Sequence, residues 1–393
     1  MGRKYQVISG DGHLETPPDP WVKYVPEAHR PRAPRLVRLP SGGDAWIVEG
    51  QPMLRTGQNL TGAGPVRFDG GSYTDEQGKP VAGAGDAVQR LHEQDVDGID
   101  AEVLFPPVFA TRFIEGIQDR DAYLAIVRAY NTFLAEEFCS VAPDRLIGVA
   151  FIPVSGVDDA IAELEWAASH GIRTVMVQQF PNGTGQARSE DDRFWERSLE
   201  LGIALSPHLG FGVPTPPVTG RHDTSLWPAP AGMAQHAYGP IPGYTLAQLI
   251  VGGVFDRFPD LRLYFAESNC TYLPGMLYYM DRDYMEYNDW FQVSLKMLPS
   301  EYITQHTLFG MIQERPAITM AQVGLLSWDN LMWGSDFPHS VGTWPRSRQY
   351  LQSAFEGVAE DAERKVVLDN PASYFGLDLD ADITETPQAT VTL

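Results

Sequence analysis

Short apolar, β-branched and aromatic runs alternate along this chain with longer stretches whose apolar positions recur at helical spacing. That alternation predicts a parallel sheet with crossover helices. The strands are expected at 5–9, running on to Asp11, then at 101–105, 146–154, 174–178, 203–205, 261–266, about 302–309 and 330–333. Helical spacing covers 87–97 (Val88, Leu91 and Val96 on one side), 121–141, 158–170, 191–201, 246–257 and the aromatic stretch 272–291. With no internal repeat and no clean linker, the pattern predicts a single (β/α)8 TIM barrel over 1–393 with a C-terminal helical extension. The Pro- and Gly-rich stretch 16–85 is too long for a plain connection, so it reads as an insertion after strand one. It would form a lid or dimer arm with short strands of its own, such as Ala45–Val48. The stretch 210–243, rich in Pro, Gly and Thr, reads as a second lid, and 378–393 as a flexible tail.

A barrel changes how the polar residues are read, because the C-terminal ends of its strands converge on one mouth. Asp11 and His13 follow strand one, His208 follows strand five, Glu267 ends strand six and Asp336 follows strand eight. Far apart in sequence, they would be neighbours in space. Two carboxylates and two imidazoles, with one acid to spare, have the chemistry of a mononuclear metal site with a base beside it. Taken singly, each has an ordinary alternative: Asp11 and Glu15 as turn caps, His13 or His208 as a buried hydrogen-bonded histidine, Asp336 as a turn aspartate. An ionised carboxylate ending an apolar strand, as Glu267 does, is costly unless paired or near a metal. His339, three residues after Asp336, can reach the mouth or hydrogen-bond Asp336. His222, His236 and His306 read as loop or surface residues. Trp46, Trp344, Phe105, Phe180 and Phe211 fall near strand ends or lids, where they can line an apolar pocket or serve as plain core, the more frequent fate of aromatic residues.

Composition narrows the partners. Net charge is -22, from 51 acidic against 29 basic residues, which disfavours nucleic acid and anionic membranes. A small-molecule substrate remains. The 2 cysteines, Cys139 and Cys270, form neither a disulfide framework nor a thiolate cage. The N-terminus has no apolar stretch of signal-peptide length, and no run approaches the ~20 apolar residues of a membrane helix. A cytoplasmic location is expected. Apolar surface on the insertion and on the aromatic stretch near Tyr278-Tyr279 predicts a homodimer.

The chain resembles the amidohydrolase-related metal enzymes that include aminocarboxymuconate-semialdehyde, γ-resorcylate and 5-carboxyvanillate decarboxylases. The resemblance rests on Ile8-Ser9-Gly10-Asp11-Gly12-His13 with Pro17-Pro18-Asp19-Pro20-Trp21, and on Pro143-Asp144-Arg145-Leu146-Ile147-Gly148. It continues in Phe255-Asp256-Arg257-Phe258-Pro259-Asp260-Leu261, Ala266-Glu267-Ser268 and Trp333-Gly334-Ser335-Asp336-Phe337-Pro338-His339. It implies a (β/α)8 barrel holding one divalent metal, Zn or alternatively Mn, on Asp11, His13, His208 and Asp336. Three departures matter. Strand one carries Asp11-x-His13 where the decarboxylases have His-x-His or Glu-x-His, which leaves Glu15 as an alternative ligand to Asp11. Glu267 stands where many of them carry a histidine, which favours a general base. Strand four offers Gln178 and Gln179 but no lysine to bridge a second metal. The expectation is a metal-dependent hydrolase acting through activated water on a small cyclic or aromatic carbonyl, with Glu267 moving the proton and His339 assisting. The alternative is a non-oxidative decarboxylase; a third option is an inactive barrel scaffold.

Overall fold

The structure, a computed structural model, describes residues 2–38, 40, 43–49, 51–52, 71–107, 114–208, 211 and 242–387. The strands are β1 (Ile8–His13), β2 (Arg35–Arg38), β3 (Asp44–Val48), β4 (Gln51–Pro52), β5 (Ala101–Phe105), β6 (Leu146–Phe151), β7 (Thr174–Met176), β8 (Ala204–Leu205), β9 (Leu263–Phe265), β10 (Thr307–Met311) and β11 (Leu331–Trp333). Eight of them, β1 and β5 to β11, form one parallel sheet in chain order. Helices join successive strands, as at 87–97, 157–169 and 192–201. Among the described residues, an isolated parallel bridge between Gly12 of β1 and Phe337, just past β11, brings the two edges of the sheet together into a nearly closed barrel. The strands are buried on both faces, as a barrel requires.

The insertion contributes a second, three-stranded antiparallel sheet, β2-β3-β4. Its apolar anchor is Trp46, which donates through Nε1 to the Tyr73 hydroxyl at 2.9 Å and packs 6.2 Å from Trp21. Trp21 in turn meets Tyr130 of the helix Arg120–Thr132 edge-on at 5.8 Å. The described part of the insertion therefore folds over its own barrel. Trp46 is buried in this contact rather than at the mouth.

Several expectations are corrected. The seventh barrel strand is not 302–309: Pro299–His306 is a helix, and β10 begins only at Thr307. Pro299 at the first turn and Glu301 bonding back to the Leu298 amide start that helix. The helix expected over 246–257 breaks at Gly252–Gly253, where Gly253 takes φ +66°. Val96 is exposed, and Arg90 takes the buried face of its helix instead. His306 is buried, not superficial: its Nδ1 lies 2.7 Å from the Leu261 carbonyl and its ring stacks on Phe255. The described part of the tail is tethered rather than fraying. Ile383 is buried and donates its amide to Arg3 O, while Thr384 donates to Asp144. The second lid, apart from Phe211, Pro242 and Gly243, lies outside the described residues, as do His222 and His236.

Candidate metal centre

Each strand end delivers its polar group by a local device. Asp11 and His13 stand two residues apart at the end of β1, so ordinary strand alternation places them on one face, where His13 Nε2 lies near Asp11; the pairing of β1 with β5 shifts register between Ser9 and Gly12. β8 is short, but the bridge from His208 to Ala266 and the bond from Ala266 N to Pro207 O (2.9 Å) extend its pairing with β9. Glu267 and Asp336 sit immediately beyond their strands in left-handed backbone, at φ +48° and +54°. Left-handed non-glycine residues cost about 1–3 kcal/mol each and collect at functional sites. The Glu267 turn is held from below by Glu314, whose carboxylate accepts from the amides of Cys270 (2.8 and 2.9 Å) and Thr271 (2.8 Å).

The result is a tight cluster. His13 Nε2 lies 3.1 Å from Asp336 Oδ1 and 3.6 Å from Asp11 Oδ1. His208 Nε2 lies 3.5 Å from both Asp11 Oδ1 and Glu267 Oε2. One ligand atom from each of Asp11, His13, His208 and Glu267 falls within 4.8 Å of the others, as does one from each of His13, Glu267, Asp336 and His339. His339 stacks on His13 at 3.9 Å, its Nδ1 3.0 Å from Asp336 and its Nε2 3.2 Å from Glu15. Glu15 thus supports His339 and belongs to neither group of candidate ligands. Phe105 closes the floor beside His208 at 4.7 Å. Phe180 and Phe211 pair at 5.1 Å, and Trp344 packs on Phe337 at 4.8 Å.

The electrostatics are unusual for a protein interior. Despite these short approaches, both Asp11 oxygens, both Asp336 oxygens and both His13 nitrogens lack aligned hydrogen-bond partners. Leaving that many buried polar groups unmade is expensive. Burial pushes the Asp11 carboxyl up to about 8, with Asp336 nearby reinforcing it against His13. Burial, then Asp336 and Asp11, lifts Glu267 well above its ordinary range. Burial also acts to raise Asp336, but His339 and His13 outweigh it and hold this carboxyl below the usual range. Buried carboxyl oxygens and imidazole nitrogens gathered in two overlapping groups fit a divalent cation, whose charge would reverse the cost of ionising those carboxylates.

The amidohydrolase family pattern matches residues 93–377. This chain belongs to the amidohydrolase family. The match begins after β1, so Asp11 and His13 are placed by the fold rather than by it. Three curated relatives are decarboxylases. The chain is 26% identical over 191 residues to decarboxylase orsB of Emericella nidulans, covering 47% of this chain but only 55% of that protein. It is 23% identical to the 2-amino-3-carboxymuconate-6-semialdehyde decarboxylase of Dictyostelium discoideum, covering 74% of this chain and 76% of the relative. It is 26% identical to the γ-resorcylate decarboxylase of a Rhizobium species, covering 58% and 67%. Among solved structures, an amidohydrolase of Mycobacterium avium subsp. paratuberculosis K-10 superimposes with a TM-score of 0.72 at 18% identity, covering 95% of this chain and 99% of the other. A 5-carboxyvanillate decarboxylase of Novosphingobium aromaticivorans, complexed with manganese, gives 0.59 at 20% identity, covering 74% and 80%. At these identities the two structures speak to the fold alone.

The sequence reading passes over Arg90, Glu102, Ser335 and Glu314, which build the ground beneath the site. One signal was available: Glu102 is an acid inside the apolar strand 101–105, a position that demands a buried partner.

Proposed function

We propose that this protein is a metal-dependent decarboxylase that removes carbon dioxide from a small aromatic or enolic carboxylate. The observation that carries this reading is a division within the site. The side chains of Asp11, His13, His208 and Asp336 are 0–1% exposed, whereas those of Glu267 and His339 are 19% and 10% exposed. We read the four most buried residues as the ligands and the two more open groups as those that move a proton. The naming of three curated relatives as decarboxylases supports the same reading. Asp11, His13, His208 and Asp336 would hold one divalent ion, and two carboxylates with two imidazoles do not decide between Zn and Mn. When bound, that ion supplies positive charge against a substrate carboxylate and its neighbouring oxygen.

The remaining chemistry falls to the chain. The carbon–carboxylate bond breaks, its electron pair stays on the substrate carbon, and carbon dioxide leaves. That carbon must then take a proton, which Glu267 delivers from its Oε position beside His208. His339, fixed by Glu15 and Asp336, orients the substrate oxygen, and Phe105 keeps water from the floor. Hydrolysis is the second reading, favoured by the presence at 267 of a carboxylate that can take a proton from water. An aromatic and enolic carboxylate panel in deuterated, heavy-oxygen water separates the two. Carbon dioxide release with deuterium on the product carbon is expected. Heavy oxygen in the product without carbon dioxide release would establish hydrolysis instead.

Homodimerisation is proposed as well, supported by the exposed Tyr278, Tyr279, Met285 and Trp290 of the helix Leu273–Phe291. Light scattering at the 43.6 kDa of one chain, rather than twice that, would reject it.

A further inference from the structure

The proposed ligands come from both sides of the barrel's seam. Asp11 and His13 belong to β1, and Asp336 follows β11. Among the described residues, the backbone bonds across this seam are His13 N to Phe337 O (2.7 Å) and Asp336 N to Asp11 O (2.9 Å). Side chains supply the rest. Glu102 of β5 accepts from Arg90 Nε at 2.8 Å, both side chains being 2% exposed. Arg90 Nη2 donates at 3.0 Å to Phe337 O, the same carbonyl that receives the His13 amide. The Arg90 guanidinium also lies 4.4 Å from the Phe337 ring centre. The second Glu102 oxygen accepts from Ser335 Oγ at 3.2 Å, and the Ser335 amide donates to Ser9 Oγ at 2.8 Å. Gly12 permits this closeness: a Cβ there would stand 2.2 Å from Glu102 Oε1.

The branches through Phe337, Ser335 and Ser9 end within two residues of Asp11, His13 or Asp336, while a longer contact from Gln94 Nε2 to Glu102 (3.4 Å) leads away to the Arg145 carbonyl. A buried ion pair is a poor device for stability alone, because desolvating both charges offsets most of their attraction. An apolar pair of equal volume would fill the space as well, but it could not hold the Phe337 carbonyl and the Ser335 hydroxyl in place. We infer that the Arg90–Glu102 pair is a positioning device that sets the spacing between the β1 ligands and Asp336, and with it the affinity for the metal. The inference rests on the ligand assignment under the proposed function.

The test measures Mn²⁺ affinity by calorimetry on chelator-treated protein, alongside melting temperature. Glu102→Gln preserves volume and removes the charge; a loss of about 10–100-fold in affinity is expected, the usual cost of a lost outer partner. Glu163→Gln is the control, since it removes a buried charge that Arg128 and Asn131 bond elsewhere on the barrel. Whatever its melting temperature, its affinity should stay within about twofold, as for independent sites. The double variant Arg90→Met/Glu102→Leu should recover melting temperature relative to Glu102→Gln but not affinity. Recovery of both would reduce the pair to packing and overturn the inference. If Glu102→Gln fails to fold, Ser335→Ala carries the same comparison with a smaller perturbation. Wild-type protein that binds Mn²⁺ no better than Glu102→Gln would overturn the positioning role alone. Wild-type protein that binds no Mn²⁺ under any of these conditions would remove the ligand assignment and this inference together.

Discussion

The two ends of this barrel bury charge in opposite ways. At the N-terminal ends of the strands, Arg145 is buried and each nitrogen of its guanidinium has a partner. It donates to Asp95 Oδ1 at 2.8 Å, to Asp100 O at 2.9 Å and to Thr386 Oγ1 at 2.8 Å. Asp100 accepts from Arg3 Nε at 2.9 Å and from the amides of Gln6 (2.8 Å) and Val7 (3.0 Å). At the other end, Asp11, His13 and Asp336 are as deeply buried, yet their polar atoms lack aligned hydrogen bonds. A closed network needs nothing more from outside and serves stability. An unanswered one in the same molecule marks groups held for a species the chain does not supply, as expected of the two faces of such a barrel.

Variants at each end should therefore fail differently. The largest effect is expected from His208→Ala, which should lose the approximately one divalent ion per chain expected of a four-donor site, and turnover with it. Elemental analysis that finds the ion retained would remove His208 from the ligands. Glu267→Gln should follow, losing on the order of 10²–10⁴ in turnover while keeping ion and fold, because the amide cannot exchange the proton. Ion loss in this variant, with activity returning in excess cation, would reassign Glu267 as a ligand. A lower melting temperature with unchanged turnover per folded molecule would make it structural.

At the closed end, Arg145→Met should cost about 3 kcal/mol in urea unfolding and leave metal content alone. That figure is the low end for breaking a buried pair, because Asp95 is itself one-third exposed. Asp95→Asn should produce the smallest effect, visible chiefly in its pH dependence. Burial alone would raise the Asp95 carboxyl, but Arg3, Thr386 and Arg145 together hold it below its ordinary value. A carboxyl depressed in the fold adds stability above its unfolded pKa and loses it as pH falls through the folded value. Wild type should thus exceed Asp95→Asn in urea midpoint near neutral pH, and the gap should narrow below about pH 4. A gap that widened on acidification would show that Asp95 is not the group being stabilised.

How much of this was legible along the chain depended on how far each signal reached. The helix Ala87–Asp97 and the strand Ala101–Phe105 agree with their expected bounds because both signals are local. In the first, Asp86 caps the Gln89 amide and Gly98 ends the last turn in left-handed backbone; in the second, a proline pair closes an apolar run. Glu301, by contrast, caps a short helix whose apolar residues also suit a strand. Over so few residues periodicity cannot separate the two.

The convergence of Asp11, His13, His208, Glu267 and Asp336 was accessible because barrel topology turns distant strand ends into neighbours without any knowledge of side-chain contacts. Topology could not say that Glu15 would turn to His339 instead of the cluster, or that Glu102 would reach Arg90, Ser335 and the Phe337 loop. Those outcomes depend on angstrom-scale placement across the β1–β11 seam. Local pattern and chain order determined the barrel and which residues reach its mouth. Only tertiary packing decided which of their charges are answered by the protein and which are left to hold something else.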